Sequence, residues 1–392
     1  MNKKIGLGAA AVIVLGAAYL GGSWWMGGQV QGIYQKQVAR AQEVLAGQAT
    51  VAQDYQRGLL ASSGDTVITL APQVLGPEAG DTPLTVHVHH DIRHALFSGG
   101  RLAAAVDHTT VTRVEGVPQE LQDAMVLDGK AQAITVYALD GSYDSHVSLP
   151  AGKLDVSEPA GPQVRMSWPA STYQVTGPGD LSRVSGSLRL DGLDLQVAED
   201  ETQMQLVLGR TEGRFEMESG EGSWLFAPST SSASVAQLQM NLGTDGEPMR
   251  PWLDLQDLKV DAGTRRDGQL LTLAQKLATR GQVAQIPLEE LRWELELERL
   301  DADAMAQLQP YLMAISAADD PAAAFPDAQE VLEPILRQLA DAGPGYTSRW
   351  HTTLGGESGL LDLRIALEPA TDDAQPLPGL PWQMELLPRI RG

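Results

Sequence analysis

Five of the chain's seven histidines, His87, His89, His90, His94 and His108, fall within 22 positions. Imidazole is the commonest metal ligand and the usual general base near neutral pH, so this run is the first place to look for chemistry. His87 and His89 would share one face of a strand, and Asp91 or Asp107 could complete a zinc set with a third histidine. No HExxH or comparable spacing accompanies them, and a His-rich exposed strand is the plainer reading. A Ser/His/Asp set drawn from Ser142, Asp144, Ser145 and His146 is weaker: no GxSxG elbow occurs, and Gly356-Glu357-Ser358-Gly359 misses the pattern by one position. Neither GxxxxGK[ST] nor GxGxxG is present, which argues against nucleotide chemistry. The acidic runs Glu199-Asp200-Glu201 and Asp372-Asp373 lack a calcium-loop pattern and read as solvated surface. The sequence therefore assigns no catalytic, cofactor-binding or metal residue and implies no cofactor. The alternative it leaves open is a periplasmic metal-dependent enzyme using His87, His89, His90 and His94.

Most of the chain that must hold these residues alternates with period 2. Val67-Ile68-Thr69-Leu70 and Leu84 to Val88 are short β-rich runs, and Leu188, Leu190, Leu193, Leu195 and Val197 alternate with polar residues. Trp293, Leu295 and Leu297 alternate with Glu294, Glu296 and Glu298, and Leu361, Leu363, Ile365 and Leu367 repeat the pattern. Such alternation predicts antiparallel strands with one dry and one wet face. Residues 270–279 fit either a helix or a strand, and Gly268 and Gly281, bracketing them as turns, favour a strand. Two helices interrupt the strands near residues 301–340. One carries Met305, Leu308, Leu312 and Ile315 and has Asp301 or Asp303 near its start. The other carries Val331, Ile335 and Leu339, with Pro334 expected in its first turn.

Acidic residues number 50 against 28 basic ones, a formal charge of -22. That excludes nucleic-acid binding through a general basic surface, since each phosphate contact needs a cation. With 43% hydrophobic residues the chain is long enough to bury a sizeable core, and with no cysteine it holds neither disulfides nor thiolate chemistry. At the N-terminus Lys3 and Lys4 precede an uncharged run from Ile5 to Met26 that ends in Trp24 and Trp25. As a helix this run spans about 33 Å, enough for a bilayer core of about 30 Å. The run continues past Gly16 and Ala18, so an anchor is preferred to a cleaved signal. The lysines place the N-terminus in the cytoplasm and the bulk of the chain in the periplasm. The expected organisation is a tail (1–4), a transmembrane anchor (5–26), a helical stalk (27–46), a β-rich region (47–300), a helical insertion (301–342) and C-terminal strands (343–392).

Several segments carry a family resemblance. They are the Lys-flanked anchor, Tyr55-Gln56-Arg57-Gly58-Leu59-Leu60-Ala61-Ser62-Ser63, His90-Asp91-Ile92-Arg93-His94, Leu300-Asp301-Ala302-Asp303-Ala304, and Gly356-Glu357-Ser358-Gly359-Leu360-Leu361. In this order they resemble the YdgA family of bacterial envelope proteins. The resemblance implies an envelope location and no defined activity, and it supplies no catalytic residues. Read on its own, Arg57-Gly58 suits a hairpin in which the glycine takes positive φ. The functional alternative is that Arg57 reads a phosphate or carboxylate near the membrane.

The fold expected is mostly β with minor α: an N-terminal transmembrane helix, then a long antiparallel extracytoplasmic region, sandwich or groove. Two helices are too few to cover so many one-sided strands. The functional expectation is a non-enzymatic inner-membrane protein that binds an envelope partner or an apolar, lipid-like ligand. A purely structural dimer whose sheets cover each other is the other reading.

Overall fold

The computed structural model describes residues 49–72, 82–94, 103–117, 119–157, 162–199, 202–218, 226–244, 248–317, 328–369, 382–386 and 389–391, together with scattered positions between 31 and 42. The anchor expected over 5–26 lies outside these residues. Among the described residues no helix is long and apolar enough to cross a membrane. Of the expected stalk, Gln31, Gly32, Gln35, Lys36, Val38, Ala39 and Gln42 are helical.

The chain is mostly β, and its strands pair antiparallel wherever their register is described. It divides into two compact units between which the chain passes more than once: unit 1 takes residues up to 118, 129–150 and 172–184, and unit 2 takes the rest. Unit 1 contains β1 (Ala49–Arg57), β2 (Ala61–Leu70), β3 (Leu84–Arg93), β4 (Ala103–Glu115), β6 (Gln132–Ala138), β7 (Tyr143–Leu149) and β10 (Ser171–Gly177). They pair in that order, each with the next. The core of unit 1 is Ile92, Ala105, Tyr137 and Tyr143, with Tyr55, Val175 and Leu181 packed against it.

Unit 2 begins with the short helix α1 (Gln119–Ala124) and the strand β5 (Met125–Leu127). It continues with β8 (Gly152–Ser157), β9 (Gln163–Trp168), β11 (Arg183–Leu190), β12 (Leu193–Glu199), β13 (Thr202–Leu208), β14 (Thr211–Glu218) and β15 (Ser229–Thr244). Four long strands and their neighbours follow: β16 (Arg250–Asp267), β17 (Leu270–Val283), β18 (Ile286–Asp301), β19 (Gly345–Leu354), β20 (Glu357–Pro369), β21 (Trp382–Leu386) and β22 (Arg389–Arg391). One continuous run of pairings goes β5, β8, β9, β12, β13, β15, β16, β17, β18, β19, β20. β14 shares the same edge of β15 with β13. The strands read from alternation at 293–298 and 361–367 form, because their apolar residues fall on one side only at period 2, and so does the strand at 270–279 that the bracketing glycines favoured.

Helices α2 (Ala302–Ala317) and α3 (Ala328–Asp341) fill the interval between β18 and β19. Asp301 caps α2, accepting the Ala304 N–H at 2.9 Å, and it also accepts the Gln338 side-chain amide of α3 at 2.8 Å. α3 starts earlier than its apolar stripe implied, so Pro334 stands inside the helix rather than in its first turn. There it withholds one backbone N–H from the helical ladder. The helices cover one end of the sheet, where Leu271 is 1% exposed within a cluster that includes Leu300, Ala302 and Met305.

Candidate functional site

In unit 1 the structure joins the two segments that carry the clearest motifs. β2 pairs with β3 along its whole length, Ala61 opposite Arg93 and Leu70 opposite Leu84. The register stacks Tyr55, Gly64, His90 and Thr109 in one row, and Ser62, Ile92, Asp107, Thr135 and Ser145 in the next. Side chains two residues apart point the same way, so both rows face the core.

The histidines divide between the two faces. His87 and His89 share the outer face, as alternation requires, with Glu115 at 3.0 Å and Asp65 at 2.8 Å respectively. His146 sits 3.3 Å from Asp144. His90 and His94 are inside, so β3 is not the exposed His-rich strand expected. Because His89 and His90 are adjacent on an uninterrupted strand, β3 presents imidazoles on both sides.

His90 Nδ1 donates to Asp107 Oδ2 at 2.9 Å, and its Nε2 lies 3.1 Å from Thr66 Oγ1. Thr109 Oγ1 also donates to Asp107 Oδ2, at 3.2 Å. The side chains of His90 and Asp107 are 11% and 3% exposed. Asp107 Oδ1 is buried without a hydrogen-bond partner. His94 Nδ1 faces the Leu59 carbonyl at 3.3 Å and must carry the proton, because a carbonyl only accepts. Its Nε2 then accepts from Ser62 Oγ at 3.0 Å. Ser62 Oγ in turn accepts the Gly58 N–H at 3.4 Å, while the His94 N–H donates to the Leu60 carbonyl at 2.9 Å. Burial lowers the His94 pKa, the bond to the Leu59 carbonyl works against that, and the charge of Arg57 adds to it. Burial likewise raises the Tyr55 hydroxyl, opposed by its bond to Ser62.

Hydroxyl, imidazole and carboxylate in the order Thr66, His90, Asp107 have the connectivity of an acyl-transfer triad. Thr66 and Ser62 are themselves buried, however, so a substrate carbonyl would have to displace core side chains to reach either one. The arrangement fastens the turn at residues 58–60 to β3. Gly58 is not at positive φ, contrary to the expectation from the sequence. It is required because a Cβ there would collide with the Ala61 carbonyl oxygen. Thr66 and Thr109 escaped the sequence reading, although each lies on the same strand face as a neighbouring buried residue. Of the Ser/His/Asp set, Ser142 Oγ donates to Asp140 at 2.7 Å, Ser145 Oγ accepts from Thr135 at 2.9 Å, and His146 is paired with Asp144 rather than with either hydroxyl. Among the described residues no group of three or more His, Asp or Glu side chains is placed to hold a metal ion.

Unit 2 presents a different surface. A single row crosses eight strands through Met125, Leu154, Met166, Leu195, Leu206, Met240, Leu253 and Val283, each opposite the next. On one side a parallel row includes Leu193, Leu208, Leu238 and Leu255, and on the other run Val156, Val164, Val197, Met204 and Leu242. None of these side chains is buried. The opposite face is an amide ladder: Gln205 donates to Asp194, Asn241 to Gln205 at 3.1 Å, Gln239 to Asn241 at 3.1 Å and Gln237 to Asp254 at 3.0 Å.

Over residues 1–386 the chain matches the family described as bacterial protein of unknown function (DUF945), and it belongs to that family. A bacterial family without assigned activity is what the sequence resemblance implied. No curated protein and no solved structure matches the chain.

Proposed function

We propose that this chain is a non-enzymatic, inner-membrane-anchored protein of the bacterial envelope that holds a lipid-like apolar ligand on the uncovered face of unit 2. The observation that carries this reading is the eight-strand row from Met125 to Val283, every member apolar and none buried. An apolar area of this extent left open on a folded domain marks a binding surface. Its rows offer no side-chain donor or acceptor, so a ligand that fits presents methylenes rather than polar groups. Each methylene withdrawn from water contributes about 0.8 kcal/mol. The Lys-flanked apolar run 5–26 supports a single-pass anchor with the bulk of the chain in the periplasm, and the resemblance to the YdgA envelope family supports the same location. Beside a bilayer, acyl chains are the apolar ligand at hand.

The test is photolabelling of the full-length protein in detergent with a diazirine-bearing fatty acid. Label is expected on peptides of β8 to β16, falling at least ten-fold in Leu206→Glu while Leu206→Met keeps it. Equal labelling of wild type and Leu206→Glu would refute the reading.

A further inference from the structure

We infer that the unit 2 face takes the two acyl chains of one two-tailed lipid, laid side by side across the strands. The inference rests on the lipid-binding reading above and specifies how the lipid lies.

Side chains of one strand face stand two residues apart, about 6.6 to 6.8 Å, so neighbouring rows are separated by that distance and leave a furrow between them. A hydrocarbon chain resting in such a furrow touches both walls at ordinary carbon–carbon distances of about 4 Å. Three rows make two furrows. The first lies between the Leu193, Leu208, Leu238, Leu255 row and the Leu154 to Val283 row. The second lies between that central row and Val156, Val164, Val197, Met204, Leu242.

The furrows are long enough. The central row makes seven inter-strand steps of about 4.8 Å, or about 34 Å, and the five-strand outer row gives about 19 Å. One leaflet's chains span about 15 Å of a 30 Å bilayer core. The second furrow therefore accepts a whole acyl chain, and the first, whose four-leucine wall makes three steps or about 14 Å, accepts nearly all of one. The second furrow stops where Leu242 stands opposite Arg250, which puts a cation where the head group of a lipid lying there would emerge. A polypeptide would fit this face less well, since its backbone N–H and C=O groups would find no side-chain partner on these rows. A second copy of the face has the right character but would place leucines on leucines, and the experiment separates it.

Photoreactive p-benzoylphenylalanine replaces Leu208, Met204 or both in the full-length protein, reconstituted in dioleoyl phosphatidylglycerol vesicles. Each single variant is expected to gain the mass of one lipid, and the double variant to gain one lipid mass crosslinked at both positions. Adducts at one position only, or two lipid masses in the double variant, would overturn the two-chain inference while leaving lipid binding intact. No lipid adduct at either position would overturn lipid binding itself, and a crosslink to a second copy would identify a closed dimer instead. Leu208→Met with Met204→Leu, which keeps both furrows apolar, is expected to retain labelling by the diazirine fatty acid within two-fold. A loss in that variant would also count against the inference.

Discussion

Unit 1 buries hydroxyls, a carboxylate and two imidazoles on the inner face of its strands. Unit 2 leaves leucines, valines and methionines half-exposed on one face of its sheet. Each is the reverse of what burial by polarity would give. Polar groups can be buried when their donors and acceptors match, as Gly58, Ser62, His94 and Leu59 do in sequence. Nothing analogous compensates an uncovered apolar face, whose hydration cost remains until something covers it. The comparison separates a face that serves the fold from the face proposed to hold a ligand.

The sharpest way to break this contrast is in unit 1. Asp107→Ala leaves His90 buried without its carboxylate and should cost about 3 to 5 kcal/mol by chemical denaturation. A loss below 1 kcal/mol would mean the pair is not buried in solution. Within unit 2 the covered and open ends should differ. Leu271→Ala, under the helices, should cost about 2 to 5 kcal/mol, whereas Leu206→Ala on the open face should cost roughly 1 kcal/mol. Equal losses would show that the open face is packed after all. Ser62→Ala deprives His94 and the Gly58 N–H of their partner and should cost about 1 to 3 kcal/mol.

The pH response follows from His94. Its folded pKa lies below the unfolded value of about 6.5, so the unfolded chain binds a proton that the native state refuses. This contribution is complete above about pH 6.5 and is lost as pH falls through the folded value. His94→Gln should therefore have a flatter stability profile than wild type below pH 6.5, and parallel profiles would remove His94 as the cause. The smallest effect is expected at the outer face: His89→Ala, half-exposed beside Asp65, should change stability by no more than about 0.5 kcal/mol.

Alternation made the strands legible, because apolar residues such as Trp293, Leu295 and Leu297 share a face only at period 2. It also made the shortage of cover legible, since two helical stripes cannot shield that many strands. The division into two units was hidden. β5, β8 and β9 alternate like their neighbours in sequence, and only their pairing toward β12 places them in unit 2. The burial of His90 and His94 was hidden for a related reason. Periodicity says that His89 and His90 face opposite ways, but which face is inside depends on cross-strand partners such as Thr66 and Asp107, far away in sequence. Gly58 was recognised as a turn residue and given the wrong cause, because a close approach to the Ala61 carbonyl leaves no trace in composition.

The most direct test of the central claim is a native mass spectrum of the detergent-extracted full-length protein beside its Leu206→Glu, Met240→Glu double variant. The apolar run 5–26 is the same in both, so any lipid it retains cancels in the comparison. The account predicts a wild-type monomer carrying a lipid mass that the variant lacks, with both chains equally folded by circular dichroism. The same lipid mass on both proteins, or a lipid-free wild-type dimer that the variant converts to monomer, would contradict it.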